Sequence, residues 1–374
     1  MFDWLEKVKT PCYIIDKAAI IKNLEILQNL ERRTGCKVLL AQKAFSAFAL
    51  YPLIGEYISG TTASGLYEAR LGYEEMGKEN HVFSPAYTEE DLKELIKICG
   101  HIIFNSFGQW ERYNKFIPST ISAGLRVNPE ISTQTHAIYD PCAPFSRLGA
   151  TLESIRGKDL SGIEGLHFHT LCEQDSDALE ITLDEFERKF SYLFPRLKWV
   201  NIGGGHHITR AGYGIEKLIK CVERIKDYGL QVYIEPGEAV ALNAGWLAAS
   251  VLDIVSNGMK IAILDTSAVC HMPDVLEMPY LPKIAGADET GEKKYAYRLA
   301  GNTCLAGDVI GDYNFERELK IGDKLLFQDM AIYSIVKNNT FNGMRLPAIA
   351  VLRENGKLET IKRFGYEDFK NRLS

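Results

Sequence analysis

The feature that most constrains this chain is an alternation running through its first two-thirds: a short apolar run, then an amphipathic stretch. The runs are VLLA (38–41), a weaker TTAS (61–64), VFSP (82–85), IIFN (102–105), LRVN (125–128), GLHFH (165–169), WVNIGG (199–204) and VYIEP (232–236). Most are too short for helices and lack strict apolar–polar alternation, as expected of strands buried on both faces. Helical patterns lie between most of them. Ile20, Leu24, Leu27 and Leu30 recur at helical spacing behind Asp16, a residue type suited to an N-cap. Thr88, followed by acids at 89–91, opens a second helix with negative charge at its positive end. Residues 184–194 and 215–228 read as two more. Eight strand-then-helix units in series predict a closed (β/α)8 barrel, with an open doubly wound sheet as the competing arrangement.

After about Ala244 the pattern changes. WLAASVLDIV, MKIAILDTS, KYAYRLAG, DKLLFQDM, AIYSIV, LPAIAVLR and KLETIKR are rich in strand formers, with Gly, Asn and Asp between them, and Asn355-Gly356 marks a hairpin. The expectation is therefore an α/β barrel over residues 11–244 and an antiparallel β-barrel or sandwich domain built from 1–10 and 245–374.

A net charge of −6 disfavours nucleic acid and anionic membranes as partners. No run approaches the ~18 uninterrupted apolar residues of a membrane span. The first residues lack the basic-then-apolar order of a signal peptide, which points to the cytoplasm. Eight cysteines are scattered without a CxxC pair, so reduced thiols are expected, and neither a metal site nor a disulfide scaffold.

In a (β/α)8 barrel, chemistry sits at the C-terminal ends of the strands. The polar residues there are Lys43, Arg126, His167, His169, Gly203, Gly204, Gly205 and Glu235. Taken singly, each has a structural explanation: an ion pair, a tight turn or a core histidine. Together they suit one ligand. A partly desolvated lysine is an amine nucleophile. Consecutive glycines let backbone N–H groups approach an anion. A carboxylate keeps a pyridine nitrogen protonated, and a histidine face stacks on a flat ring. That set is what pyridoxal phosphate requires.

The order of motifs also resembles the alanine-racemase-type barrel decarboxylases, the family of ornithine, arginine and diaminopimelate decarboxylases. PCYIID, LLAQKAFS, ASGLYEARL, FSRLG, GLHFH, NIGGG, IEPG, GNTCLAGD and AIYSIVKNNTFNG follow the family's order across nearly the whole chain. The resemblance implies that Lys43 anchors the cofactor, that His169 stacks on its ring and that Glu235 faces the pyridine nitrogen. It implies that Gly204, Gly205, Gly237 and Tyr333 bind the phosphate, with Arg126 nearby. It further implies a homodimer with shared active sites, in which Cys304 serves the other subunit as the proton donor.

The departures from the family pattern bear on substrate. Glu238 stands where the family usually has a phosphate-binding arginine after EPG. Leu171-Cys172-Glu173 replaces a small glycine–serine pair. Leu305 follows the loop cysteine where many members have an acid, and Asp308 is the candidate substitute. Added acid and a lost arginine favour a more cationic substrate. The expected substrate is a carboxylated polyamine, with Glu238, Asp274, Glu173 and Asp308 as amine-binding candidates. The alternatives are a diaminopimelate, ornithine or arginine decarboxylase, or a non-catalytic binding homologue.

Overall fold

The computed structural model describes residues 2–135, 137–288 and 291–374. The chain divides into two compact units, one of residues 22–240 and one of residues 1–21 with 241–374. Strand β1 (Cys12–Asp16) belongs to the second. The first unit is a closed barrel of eight parallel strands in sequence order: β2 (Lys37–Ala41), β3 (Gly60–Ala63), β4 (Glu79–Phe83), β5 (His101–Phe104), β6 (Ser122–Arg126), β7 (Ile163–His167), β8 (Trp199–Asn201) and β9 (Gln231–Ile234). All eight sequence runs become barrel strands. Closure comes from β9 pairing back onto β2, with Lys37 opposite Tyr233.

The barrel interior is filled, not hollow. Leu39, Ile103, Trp199 and Tyr233 form one buried cluster. The Trp199 indole fits because its neighbours lack side chains: a Cβ on Gly165 would lie 2.0 Å from the ring, and one on Gly124 2.4 Å. Burying an aromatic of this size removes 150–250 Å² from water, at roughly 25 cal/mol per Å².

Local signals account for the helix starts. Asp16 Oδ1 accepts from the amides of Ala18 and Ala19, at 2.9 and 3.2 Å, at the head of helix Lys17–Thr34. Thr88 caps Glu89–Ile98 by accepting from Asp91 N. The helix expected at 184–194 instead spans Ser176–Phe190. Asp175 caps it, and its ladder gives way to a 3-10 turn containing Pro195, which has no N–H to donate.

In the second unit β1 lies within a nine-stranded mixed sheet with β10 (Gly245–Ser256), β11 (Lys260–Leu264), β12 (Ala287–Asp288), β13 (Tyr295–Ala300), β14 (Val309–Phe315), β15 (Lys324–Gln328), β16 (Ala348–Leu352) and β17 (Leu358–Lys362). The expected boundary at residue 11 is thereby corrected. Cys12 pairs with Ala248 on one side and Ala348 on the other, so the entry strand is an inner strand of this sheet. The pairings β1·β16 and β11·β13 are parallel, so the sheet is not purely antiparallel. Successive residues feed opposite faces: Tyr13, Leu247 and Ala249 enter one buried cluster, Ile14 and Ala248 another. The Asn355-Gly356 hairpin joins β16 and β17, with Gly356 at φ 77°. No helix among the described residues is long and apolar enough to cross a membrane.

Candidate active site

Glu235 follows β9 directly and is buried. Its Oε1 accepts from Thr62 Oγ1 at 2.9 Å and from Asn201 Nδ2 at 2.8 Å; its Oε2 lies 3.5 Å from His167 Nε2. Burial by itself would raise the carboxyl's pKa. His167, His169 and the Asn201 amide outweigh it and hold Glu235 well below the usual carboxylate range. The site thus keeps a buried anion ready-made. His167 is also buried, its pKa pulled down mainly by desolvation, and neither ring nitrogen has a hydrogen-bond partner among the described residues.

The glycine run after β8 is shaped by close approach. Gly203 and Gly205 hold φ of 71° and 81°, a region that disfavours side chains. A Cβ on Gly204 would sit 2.3 Å from the Glu235 carbonyl oxygen and 3.1 Å from His169 Cε1. Gly204 N donates to His169 Nδ1 at 3.1 Å, which orients that ring. Asn201 ties the run to the carboxylate: its Oδ1 accepts from Gly203 N at 2.9 Å while its amide donates to Glu235. Gly237 comes within 2.6 Å of Ala44 Cβ if given a Cβ of its own, so the loop after β9 packs tightly on the loop after β2.

Arg126, at the end of β6, donates to the His169 carbonyl at 3.1 Å and stacks 4.5 Å above the Phe83 ring. Burial lowers its pKa to about 10, so it stays charged at neutral pH. Lys43, in the turn after β2, remains open to solvent although the barrel mouth crowds around it. That crowding pulls its ammonium below the ordinary lysine value, Arg126 adds to the effect, and Glu235 and Glu238 oppose it. The result is an accessible amine that gives up its proton more readily than a surface lysine.

A second acidic group lies at the same mouth. Glu238 Oε2 is 2.7 Å from His207 Nε2, and the ligand atoms of Glu173, His207 and Glu238 fall within 4.8 Å of one another. Burial, Glu238 and Glu173 together push the Cys172 thiol up to about 12.

The remaining candidates belong to the sheet unit. Cys304 is exposed, and its amide donates to Asn342 Oδ1 at 2.7 Å. Tyr333 holds φ 53°, directly before the short helix Ser334–Lys337, so the run AIYSIV, expected as a strand, forms none. Asp274 is ion-paired with Lys337, which also pairs with Glu277. Asp308 requires a correction. It is 3 % exposed, and its carboxylate accepts from Ser267 Oγ (2.8 Å), Ala268 N (2.9 Å), Thr303 Oγ1 (2.7 Å) and Thr303 N (3.2 Å). A carboxylate consumed by Thr303 of its own loop and by the Ser267–Ala268 segment is a structural anchor, not an amine receptor.

The barrel therefore gathers Lys43, Arg126, His169, Gly204, Gly205, Glu235, Gly237, Glu238 and Glu173 in one unit. Residues not singled out from sequence complete it: Thr62, Asn201 and Phe83 on other strands, and His207. His207 follows the triple glycine and was legible only as a polar neighbour of a motif.

A buried anion at one strand end and an accessible amine at another suit a pyridine-ring cofactor on a barrel rim. Comparison with known proteins gives the class. The chain belongs to the pyridoxal-dependent decarboxylases: residues 12–331 match the family described as pyridoxal-dependent decarboxylase, C-terminal sheet domain. It is 46% identical to the carboxynorspermidine/carboxyspermidine decarboxylase of Campylobacter jejuni, across 97% of this chain and 98% of that one. It is 42% identical to the carboxyaminopropylagmatine decarboxylase of Synechocystis sp., across 99% and 96%. The crystal structure of carboxynorspermidine decarboxylase complexed with norspermidine from Campylobacter jejuni superposes with a TM-score of 0.92 at 45% identity, covering 98% of this chain and all of that one.

Proposed function

We propose that this protein binds pyridoxal 5'-phosphate and decarboxylates a carboxylated polyamine, carboxynorspermidine or carboxyspermidine, to norspermidine or spermidine. The observation that carries the substrate is the 46% identity, over almost the full length, to a decarboxylase of that name. The cofactor reading rests on the chain's own residues. Glu235 is a buried anion, Lys43 a reachable amine of lowered pKa, and Gly204 and Gly205 pack so closely on the Glu235 and Leu171 carbonyls that only glycine fits, which fixes the run as bare backbone at the strand ends.

When bound, the cofactor supplies a protonated ring that accepts the electrons of the breaking carbon–carboxylate bond. Glu235 holds the proton on the ring nitrogen. The backbone N–H groups of Gly205 and Gly237, with the Tyr333 hydroxyl, would bind the phosphate, joined by the Gly204 N–H on its release from His169 Nδ1. His169 would stack on the cofactor's ring, and Arg126 fixes the His169 segment through its carbonyl. Lys43 Nζ would hold the cofactor covalently and would be the amine that substrate and product exchange with. Glu238, Glu173 and Asp274 bind the distal ammonium groups. Sγ of Cys304 of the partner subunit returns a proton to the carbon that has lost carbon dioxide, so the active enzyme is a homodimer. The same reading puts the enzyme in the cytoplasm.

A second substrate, carboxyaminopropylagmatine, is favoured by the 42% identity to the Synechocystis enzyme. The deciding assay uses purified protein with and without added cofactor. It follows carbon dioxide and product from carboxynorspermidine, carboxyspermidine, carboxyaminopropylagmatine, diaminopimelate, ornithine and arginine. Cofactor-dependent turnover of carboxynorspermidine or carboxyspermidine in preference to the rest is expected. Preference for carboxyaminopropylagmatine selects the second substrate, and turnover of diaminopimelate alone overturns both. Mixing Lys43→Ala with Cys304→Ala subunits tests the shared site; partial recovery of activity is expected, and none argues against it.

A further inference from the structure

Among the described residues His207 makes one side-chain hydrogen bond, to Glu238 Oε2 at 2.7 Å. Its other ring nitrogen, Nδ1, is buried without a partner among the described residues. That asymmetry decides the tautomer. A proton on Nδ1 would be buried and unsatisfied, whereas a proton on Nε2 meets a carboxylate. His207 is therefore the donor and Glu238 Oε2 the acceptor.

Both partners sit on pinned backbone. His207 N donates to Gln174 O at 3.2 Å, and His207 O accepts from Arg210 N at 2.9 Å. Thr209 Oγ1 donates to Ala239 O at 2.7 Å, tying this loop to the segment that carries Glu238. Gly237, immediately before Glu238, has no room for a Cβ against Ala44. The carboxylate is held from one side only. No donor among the described residues reaches Oε1, and Glu238 acts electrostatically on Lys43. Without its donor, Glu238 would be free to turn towards the Lys43 ammonium.

We propose that His207 is a positioning residue for substrate specificity. Its Nε2–H holds one oxygen of Glu238 so that the other faces the barrel mouth as the receptor for a distal ammonium group. The inference rests on the polyamine reading above and extends it to a residue that touches neither cofactor nor substrate.

The variants separate the Nε2–H from the bulk of the ring. In His207→Gln the side-chain amide reaches the position of Nε2; in His207→Asn it reaches only that of Nδ1. The holoenzymes are compared by calorimetric norspermidine binding, by kcat and KM with carboxynorspermidine, and by the visible spectrum. Loss of a hydrogen bond to a charged group predicts about tenfold weaker norspermidine binding and about tenfold higher KM for His207→Asn. Its kcat should stay within about twofold and its spectrum unchanged, as expected for an interaction made equally in ground and transition states. His207→Gln should recover binding to within about threefold. Wild-type-like binding by His207→Asn, or His207→Gln as weak as His207→Asn, overturns the proposal. Combining His207→Asn with Glu238→Gln gives an independent check: the pair should bind within about twofold of Glu238→Gln alone, since both act through one contact. A further tenfold loss overturns the proposal. Wild-type holoenzyme that fails to bind norspermidine rejects the polyamine reading and this inference with it. Wild-type binding with an unaffected His207→Asn rejects the inference alone.

Discussion

Asn201→Ala is the most exacting perturbation of the site, because one amide serves two buried partners. Its Nδ2 supplies a hydrogen bond to the Glu235 carboxylate at 2.8 Å, and its Oδ1 satisfies Gly203 N at 2.9 Å. Asn201 is fully buried, so water does not readily replace it. A hydrogen bond to a charged acceptor is worth roughly 1.5–3 kcal/mol, and an orphaned buried N–H costs about 1–3 kcal/mol. Partial relaxation of the cavity leaves an expected loss of about 3–5 kcal/mol. For a domain of this size that is on the order of a 10 °C fall in Tm. Thr62→Val removes only one bond to the same carboxylate and should cost about half as much. Thermal unfolding by circular dichroism, without added cofactor, measures both. Cofactor titration by visible absorbance should show weaker binding for Asn201→Ala, because the glycine run and the ring-facing carboxylate loosen together. An Asn201→Ala protein melting within 2 °C of wild type, with unchanged cofactor affinity, would refute the reasoning.

Other changes have distinct signatures. Lys43→Ala should abolish the visible band of bound cofactor while leaving Tm nearly unchanged, because Lys43 makes no hydrogen bond or ion pair among the described residues; a surviving band would exclude Lys43 as the anchor. Gly204→Ala puts a Cβ 2.3 Å from a backbone carbonyl and should weaken cofactor binding more than tenfold by titration (about 1.4 kcal/mol or more). Gly108→Ala, with open space around it, is the control. Asp308→Asn should lower Tm by several degrees, because an amide cannot accept what the carboxylate accepts from Ser267, Ala268 and Thr303. A raised KM at constant Tm would restore Asp308 as a substrate residue. Acid should destabilise the barrel through Glu235. Its folded pKa lies below the unfolded value near 4.3, so its contribution is present above that value and is lost as pH falls towards the folded pKa. Tm measured from pH 5 to pH 3 should drop less steeply for Glu235→Gln than for wild type.

The acid test isolates a group that the sequence marked but could not explain. Glu235 was legible because a strand-end carboxylate before Pro-Gly stands out in a barrel pattern. Its ionisation was not, because Thr62 lies 173 residues away in sequence and Asn201 34, on other strands. Asp308 failed for the same reason. A loop acid facing solvent and one turned inward are the same letter, and the donors at Ser267 and Ala268 come from 41 and 40 residues away.

The sequence by itself determined the eight barrel strands, the helix caps at Asp16 and Thr88, the change of architecture after Ala244 and the strand-end positions of Lys43, His169, the glycines and Glu235. These follow from local periodicity, from turn and cap chemistry and from one rule of barrel geometry. The tertiary structure alone decided that residues 12–16 join the sheet unit, that Asn201 couples carboxylate to glycine run, and that His207 rather than a phosphate-binding group engages Glu238. Each of these depends on pairing between residues far apart along the chain, where partner identity is set by three-dimensional packing and leaves no local pattern to read.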